Sequence, residues 1–141
     1  MTLNQTVTRY AEADHDLVSD FIMKAANVEK VDEEIIKNSI LVKLGTRLVG
    51  MIAFEKHEQI GIIRYFIYEQ YTLPDLLVNL FFELYAYAKE LEVSQLVTVA
   101  TDPSPYQLFE LLGFIEIKNS IEGKISELVD GDSVKVMSIK L

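Results

Sequence analysis

The sequence has no cysteine among its 141 residues and only two histidines, His15 and His57, which lie far apart along the chain. The absence of cysteine excludes disulfide scaffolds, thiol redox chemistry and cysteine-ligated metal. With so few histidines we expect no metal site. The three prolines and six glycines form no linker, and the chain has no repeat or low-complexity tract. We therefore expect one domain over residues 1–141.

Long apolar runs and basic residues are also scarce. No apolar run approaches the roughly 18 residues of a membrane span, and residues 1–5 lack the basic and apolar blocks of a secretory signal. We therefore expect a cytoplasmic protein without a membrane partner. Thirteen basic residues stand against 22 acidic ones, for a net charge of −9. We therefore expect no nucleic-acid partner, because phosphate contacts need a basic patch.

Half of the residues are hydrophobic, and in the first half of the chain their spacing predicts an antiparallel meander after two helices. Gly45 and Thr46 fit a type II′ hairpin, because glycine suits its first central position. The predicted elements are a strand around Val7 and Arg9, a helix from a cap at Asp14 to Ala25, a weaker helix over 31–38, and strands over 40–44, 48–56 and 60–68.

In the second half the apolar period changes to that of a helix, which we expect to run up to about Glu92. Thr72 is its predicted N-cap, and Pro74 falls where helices tolerate proline. The remaining predicted elements are a strand over 95–100, a helix over 105–112 stopped by Gly113, and strands over 114–118 and 134–141. This order predicts an α/β fold with a mixed, mostly antiparallel sheet of about seven strands and helices on both faces.

The order of elements, together with the segment Leu108-Phe109-Glu110-Leu111-Leu112-Gly113-Phe114, resembles the GCN5-related N-acetyltransferase (GNAT) superfamily. Members often end the corresponding helix in a Tyr-x-x-x-Gly-Phe pattern. The resemblance covers nearly the whole chain. It implies the fold of that superfamily, an acetyl-CoA or other acyl-CoA cofactor, and a small-molecule or protein amine as acceptor.

The main chemical motif of that superfamily is Gln/Arg-x-x-Gly-x-Gly/Ala before the third helix, where glycines and helix N–H groups bind a pyrophosphate. By the resemblance, the cofactor-binding segment here is residues 72–77, Thr72-Leu73-Pro74-Asp75-Leu76-Leu77. It keeps none of the motif's residues. Pro74 lacks an N–H donor, and the Asp75 carboxylate competes with an anion at the helix N-terminus.

These substitutions predict a weak pyrophosphate contact. Two lost charge-assisted hydrogen bonds cost roughly 3–6 kcal/mol, and a like charge about 4 Å away adds on the order of 1–4 kcal/mol. Together they remove roughly three or more decades of affinity. The resemblance also implies that the backbone of Phe66, Ile67 and Tyr68 holds the pantetheine arm.

For catalysis, the resemblance implies a tyrosine acid on the fourth helix, but Phe109 occupies that position and has no proton to donate. Tyr106, one turn earlier, is the candidate acid because it shares that helix face. Glu69 follows the central strand and is the candidate base, acting directly or through water. A solvated strand-end glutamate is the alternative. For Arg64 we favour pairing with an acid such as Glu55 over substrate binding.

Three further patterns leave alternatives open. Tyr65, Tyr68, Tyr71 and Tyr106 either line a small-molecule cleft or pack at the edge of the core. An acidic cluster over residues 29–34 attracts a cationic substrate or is a solvated helix face. A second apolar stripe on the long helix, formed by Val78, Phe82 and Tyr85, is covered within the monomer or by a second chain in a homodimer.

Two functions follow as hypotheses. One is an acyl-CoA-dependent N-acyltransferase that moves an acyl group to an amine. The other is a catalytically silent binding or regulatory module, a pseudoenzyme that kept the scaffold without a working pyrophosphate site. The substitutions at Asp75, Leu77 and Phe109 favour the second hypothesis, and the scaffold and cleft favour the first.

Overall fold

A computed structural model describes residues 5–69, 74–100, 103–117 and 135–141. Its strands are β1 (Gln5–Arg9), β2 (Ser39–Leu44), β3 (Arg47–His57), β4 (Ile60–Tyr68), β5 (Gln95–Ala100), β6 (Ile115–Ile117) and β7 (Lys135–Lys140). Its helices are α1 (His15–Ala26), α2 (Glu33–Ile36), α3 (Pro74–Glu90) and α4 (Pro103–Leu111). The predicted order of elements is confirmed. No helix in these four ranges is long and apolar enough to cross a membrane.

The seven strands form one sheet in the order β1-β2-β3-β4-β5-β7-β6. Neighbouring strands pair antiparallel everywhere except between β4 and β5, which are parallel. This is the mixed, mostly antiparallel sheet that the sequence predicts. The chain makes its parallel step through α3, as a parallel connection requires a long crossover.

The helices cover both faces of the sheet. On one face α1 and α2 bury Val18, Ile22, Ile35 and Ile36 against Leu41 and Met51. On the other face α3 buries Leu80, Phe81 and Leu84 against Ile52 and Phe54, together with Phe109 of α4. Strand residues alternate between these two cores because successive side chains point to opposite faces.

The local signals fix several element ends. Gly45 has a φ of +64° and Thr46 has no positive φ, as the predicted type II′ hairpin requires. Gly113 ends α4 with a φ of +102°, and the Phe114 N–H donates to the Phe109 carbonyl at 3.0 Å. Pro74 is the first residue of α3, where its missing N–H costs no helical hydrogen bond. The predicted cap, Thr72, lies outside the described residues.

The second helix is shorter than predicted. The sequence predicts a helix over residues 31–38, but α2 is a single turn over Glu33–Ile36. Asp32 precedes it with an extended backbone, and its carboxylate accepts from the N–H groups of Glu34 and Ile35. This side-chain cap starts the helix after Val31 and so removes the first two predicted residues from it.

Candidate functional site

Strands β4 and β5 separate soon after they begin. They pair only at Ile60–Gln95, Gly61–Leu96 and Ile62–Val97, although β4 continues to Tyr68 and β5 to Ala100. At the paired end, a side chain on Gly61 would meet Leu96 Cδ2 at 2.8 Å, so the glycine allows the close approach. Beyond Ile62 the edge of β4 that faces β5 has no partner strand in the described ladder, and a gap opens in the sheet.

A bulge in β4 lies beside this gap. The β3–β4 register passes from Ala53–Arg64 to Met51–Ile67, so Tyr65 and Phe66 together oppose the single residue Ile52. Tyr65 has a φ of +54°, an uncommon conformation for a bulky side chain. Its hydroxyl accepts from the Asp32 N–H at 3.3 Å, which ties the bulge to the start of α2. Such bulges bend a strand and redirect its backbone groups.

The backbone direction after the bulge follows from one hydrogen bond. The Glu69 N–H donates to the Val49 carbonyl at 2.9 Å, just beyond the Gly50–Tyr68 pair. Bonded and non-bonded pairs alternate in an antiparallel ladder. The N–H and carbonyl of Tyr68, and those of Phe66 two residues earlier, therefore point away from β3 and into the gap. Ile67 bonds toward Met51 instead.

Aromatic side chains close the α3 side of the gap. The Phe66 ring lies 5.3 Å from Phe81 of α3 and 5.7 Å from Phe109 of α4, measured between ring centroids. Phe109 is 3% exposed and also contacts the ring of Phe114 at 5.2 Å. The residue that the resemblance aligns with a tyrosine acid is therefore a buried core residue.

A hydrogen bond holds α4 against α3 in this cluster. The Tyr85 hydroxyl donates to the Leu112 carbonyl at 3.1 Å. Burial raises the pKa of Tyr85, so its hydroxyl keeps the proton that this bond needs. Tyr85 is thus covered within the monomer, whereas Phe82 on the preceding turn is 63% exposed.

The N-terminal turn of α3 carries an exposed acid. Pro74 and Asp75 are both exposed, Leu76 is half-buried and Leu77 is buried in the core. Thr72 and Leu73 lie outside the described residues. Of the predicted pyrophosphate segment, the described part offers no N–H at Pro74 and a carboxylate at Asp75, so it does not fit a diphosphate.

The structure describes the side chain of only one of the two predicted catalytic residues. Glu69 follows β4, and the Arg47 guanidinium contacts its Oε1 at 2.5 Å. Tyr106 lies within α4, but its side chain is outside the described part of the structure. The prediction that Arg64 pairs with Glu55 is confirmed by a 2.8 Å hydrogen bond to Oε1, and His57 contacts the other oxygen of the same carboxylate.

The structure describes the side chains of two of the four tyrosines that the sequence groups together, Tyr65 and Tyr68. Tyr65 packs on the α1 and α2 face, whereas the Tyr68 ring lies 5.0 Å from Phe66 on the α3 face. Tyr65 and Tyr68 therefore contact opposite faces of the sheet, which favours packing at the edge of the core over a shared cleft for these two residues. Tyr71 lies outside the described residues.

The acidic cluster over residues 29–34 makes local contacts. Asp32 caps α2, Glu33 contacts His15 Nε2 at 2.7 Å, and Glu34 pairs with Lys37. These contacts favour the solvated helix face over a site for a cationic substrate.

A cavity that the sequence did not reveal lies beside Glu69. It is a shallow cavity, widely open to solvent, with a volume of about 400 Å³ between α1, the start of β3 and the end of β4. Asp20 and Lys24 of α1, Arg47 and Glu69 contribute its charged groups, and Leu17 and Phe21 contribute apolar wall. The four charged residues come from three separate parts of the chain, so no local motif marks them.

The sequence matches no family model and no curated protein. Solved structures match its fold. N-acetylglutamate synthase from Neisseria gonorrhoeae, complexed with coenzyme A and N-acetyl-glutamate, is similar with a TM-score of 0.70 and 13% identity. The match covers 100% of this chain and 36% of that one, so the chain spans about a third of the synthase.

Two full-length matches agree. A GNAT-family acetyltransferase from Staphylococcus aureus has a TM-score of 0.72 and 14% identity, covering 97% of this chain and 99% of that one. The ribosomal-protein-S18-alanine N-acetyltransferase of Escherichia coli has a TM-score of 0.67 and 13% identity, covering 97% and 94%. The separated strands and the bulge already define an α/β protein with a split mixed sheet. That fold is the GCN5-related N-acetyltransferase fold.

Proposed function

We propose that this protein is a divergent member of the GNAT superfamily and an acyl-CoA-dependent N-acyltransferase. The gap between β4 and β5 carries the proposal. Its β4 edge presents the backbone groups of Phe66 and Tyr68 to an extended amide-bearing chain such as pantetheine. A main-chain edge binds such a ligand as it would bind another strand. Solved relatives of the same fold are acyltransferases, one of them bound to coenzyme A.

The proposed reaction forms a bond between the acceptor nitrogen and the acyl carbon and breaks the bond between that carbon and the CoA sulfur. The attacking amine must lose a proton, and the departing thiolate must gain one or leave as an anion. We propose that Glu69, directly or through water, takes the amine proton. Tyr106 is the proposed acid. Holding the two substrates together supplies much of the rate.

A second candidate function is a silent binding or regulatory module. The buried Phe109 ring and the Pro74-Asp75 start of α3 favour it, because they remove a proton donor and an anion site. With the same features, an acyl-CoA would be bound mainly through its pantetheine arm, and its diphosphate would contribute little to the binding free energy. For either function, a cytoplasmic location stays a prediction that cell fractionation tests.

Calorimetry and a thiol-release assay separate these functions. We expect acetyl-CoA to bind with a Kd below about 100 μM, in the range of ordinary KM values. Free CoA is then followed with a thiol reagent, which gives no background because the chain has no cysteine. Turnover with an amine supports the transferase, and binding without turnover supports the silent module. Absence of heat at millimolar acetyl-CoA contradicts the transferase.

A substitution at Asp75 tests whether its carboxylate repels the diphosphate of acetyl-CoA. Two unit charges about 4 Å apart in water interact by roughly 1 kcal/mol, or about fivefold in affinity. Asp75→Asn should therefore strengthen acetyl-CoA binding about fivefold at low salt. Glu110→Gln, an exposed acid on α4, is the matched control and should leave the Kd unchanged. Equal effects of the two variants would mean that only net charge matters.

A further inference from the structure

The cavity beside Glu69 contains balanced charge in an acidic protein. The chain has 22 acidic and 13 basic residues, yet this cavity brings two carboxylates, Asp20 and Glu69, together with two cations, Lys24 and Arg47. A site for a polycation would show an excess of acid, and a site for an anion an excess of base. Equal numbers of each suit a ligand that carries both charges.

The ion pairs in the cavity are easily opened. Arg47 contacts Glu69 at 2.5 Å, with side chains 61% and 40% exposed. Lys24 contacts Asp20 at 2.9 Å along α1, and both side chains are exposed. Exposed pairs of this kind contribute little to stability. A ligand with an ammonium and a carboxylate can therefore replace a pair by binding both of its members, at small cost to the fold.

The geometry favours a small ligand with an apolar part. Arg47 presents a planar guanidinium, which suits a carboxylate in a two-point contact. Leu17 and Phe21 of α1 give the cavity an apolar wall beside these charges. Its volume of about 400 Å³ lies in the range of small-molecule sites. Glu69 directly follows Tyr68 along the chain, so the cavity lies at the same end of β4 as the backbone groups that face the gap.

We propose that this cavity binds the acyl acceptor as a zwitterion, an amino-acid-like amine with an aliphatic side chain. Arg47 holds the carboxylate, and Glu69 holds the ammonium that is to be acylated. Asp20 and Lys24 keep the surrounding charge balanced. The proposal rests on the proposed function and adds the substrate class to it.

The test uses three matched probes: L-leucine, 3-methylbutylamine, which lacks the carboxylate, and 4-methylpentanoate, which lacks the amine. Each is titrated by calorimetry into the full chain, with and without 1 mM (roughly saturating) coenzyme A. A hydrogen-bonded charged group contributes enough that each analogue should bind about tenfold more weakly than leucine. If either analogue binds as tightly as leucine, the zwitterion proposal is overturned.

Variants locate the binding. Arg47→Gln should weaken leucine about tenfold without weakening 3-methylbutylamine, because it frees Glu69 from its ion pair, whereas Glu69→Gln should weaken both amines. Lys37→Gln is the control, because Lys37 forms a similarly exposed pair with Glu34 on α2 outside the cavity. An unchanged Kd for leucine in the Arg47→Gln variant contradicts the proposal. If leucine does not bind although acetyl-CoA does, this inference alone is refuted. If acetyl-CoA does not bind, the proposed function is refuted.

Discussion

Lys43 and Asp14 join β2 to the start of α1 through a 2.6 Å contact between Nζ and Oδ1. Their side chains are 23% and 14% exposed, which separates them from the exposed ion pairs of the cavity beside Glu69. The second Asp14 oxygen accepts from the Ala11 N–H at 3.0 Å. Hydrogen bonding by Lys43 lowers the pKa of Asp14, with a smaller contribution from Ala11.

Because folding lowers the pKa of Asp14, the contribution of this residue to the free energy of unfolding depends on pH. The folded pKa of Asp14 lies below its unfolded value near 3.8, so its stabilising effect is present above that value and is lost as the pH falls through the folded pKa. Asp14→Asn should lower the free energy of unfolding at pH 7 by about 1–2 kcal/mol. Urea unfolding at pH 7 and at about pH 3 checks this, since the difference from wild type should shrink in acid.

The control for Asp14→Asn is Glu34→Gln, which removes a pair between two exposed side chains. It should change the unfolding free energy by less than about 0.5 kcal/mol. If Asp14→Asn costs as much at pH 3 as at pH 7, the carboxylate charge is not what stabilises this junction.

Single residues show how far sequence reasoning reaches. The Arg64–Glu55 pair could be predicted, because a lone arginine in an apolar strand needs an acid nearby. The bulge at Tyr65 could not, because nothing in a tyrosine indicates a φ of +54°. The hydroxyl of this residue contacts the Asp32 N–H, a partner 33 positions away that no local pattern indicates.

At the scale of elements, the α3–α4 contact is an aromatic cluster. The ring of Phe81, fully buried, lies within 5.3–6.2 Å of Phe66, Phe109, Tyr85 and Phe114. Its neighbour Phe82 is on the exposed side of the same helix. The two residues are therefore a matched pair: both are phenylalanines at adjacent positions in α3, and they differ in burial.

We expect Phe81→Ala to lower the free energy of unfolding by about 3–5 kcal/mol, because it leaves a cavity where four rings meet. Phe82→Ala should change it by less than about 0.5 kcal/mol in a monomer. Urea unfolding followed by circular dichroism measures both. Comparable losses for the two variants would show that the outer face of α3 is covered as fully as its inner face.

Element order was predictable because the apolar period changes clearly between strands and helices. Gln95–Ala100 and Ile60–Tyr68 have the predicted bounds. The failure at α2 has a physical cause. A four-residue helix contains a single turn, which is too short for any period to show. Only the capping geometry of Asp32 defines where it begins.

At the scale of the whole molecule, three large apolar side chains on α3, α4 and β6 are exposed. Phe82, Leu111 and Ile115 are 63%, 81% and 69% exposed. The homodimer stays a prediction, and it predicts that Phe82→Asp elutes as a monomer under conditions where wild type elutes as a dimer. Light scattering coupled to size exclusion measures the mass directly. A monomeric wild type at about 100 μM, well above an ordinary dimer Kd, contradicts it.

The candidate site also belongs to this scale, which is why the sequence revealed only part of it. Phe66 and Tyr68 could be named from the resemblance, because they lie on one strand. The cavity could not, since Asp20, Lys24, Arg47 and Glu69 meet only when α1 packs across β3 and the end of β4. Likewise, the gap depends on a ladder that stops after three residue pairs.

We propose that an acyl-CoA is held by the β4 main chain at its pantetheine arm and gains little affinity at the start of α3. Calorimetric titration with acetyl-CoA and with S-acetylpantetheine, which lacks the nucleotide and the diphosphate, tests this directly. We expect Kd values within about tenfold of each other, a difference of about 1.4 kcal/mol or less. Binding of acetyl-CoA about a thousandfold tighter than the pantetheine ester would contradict it, because the diphosphate would then supply about 4 kcal/mol.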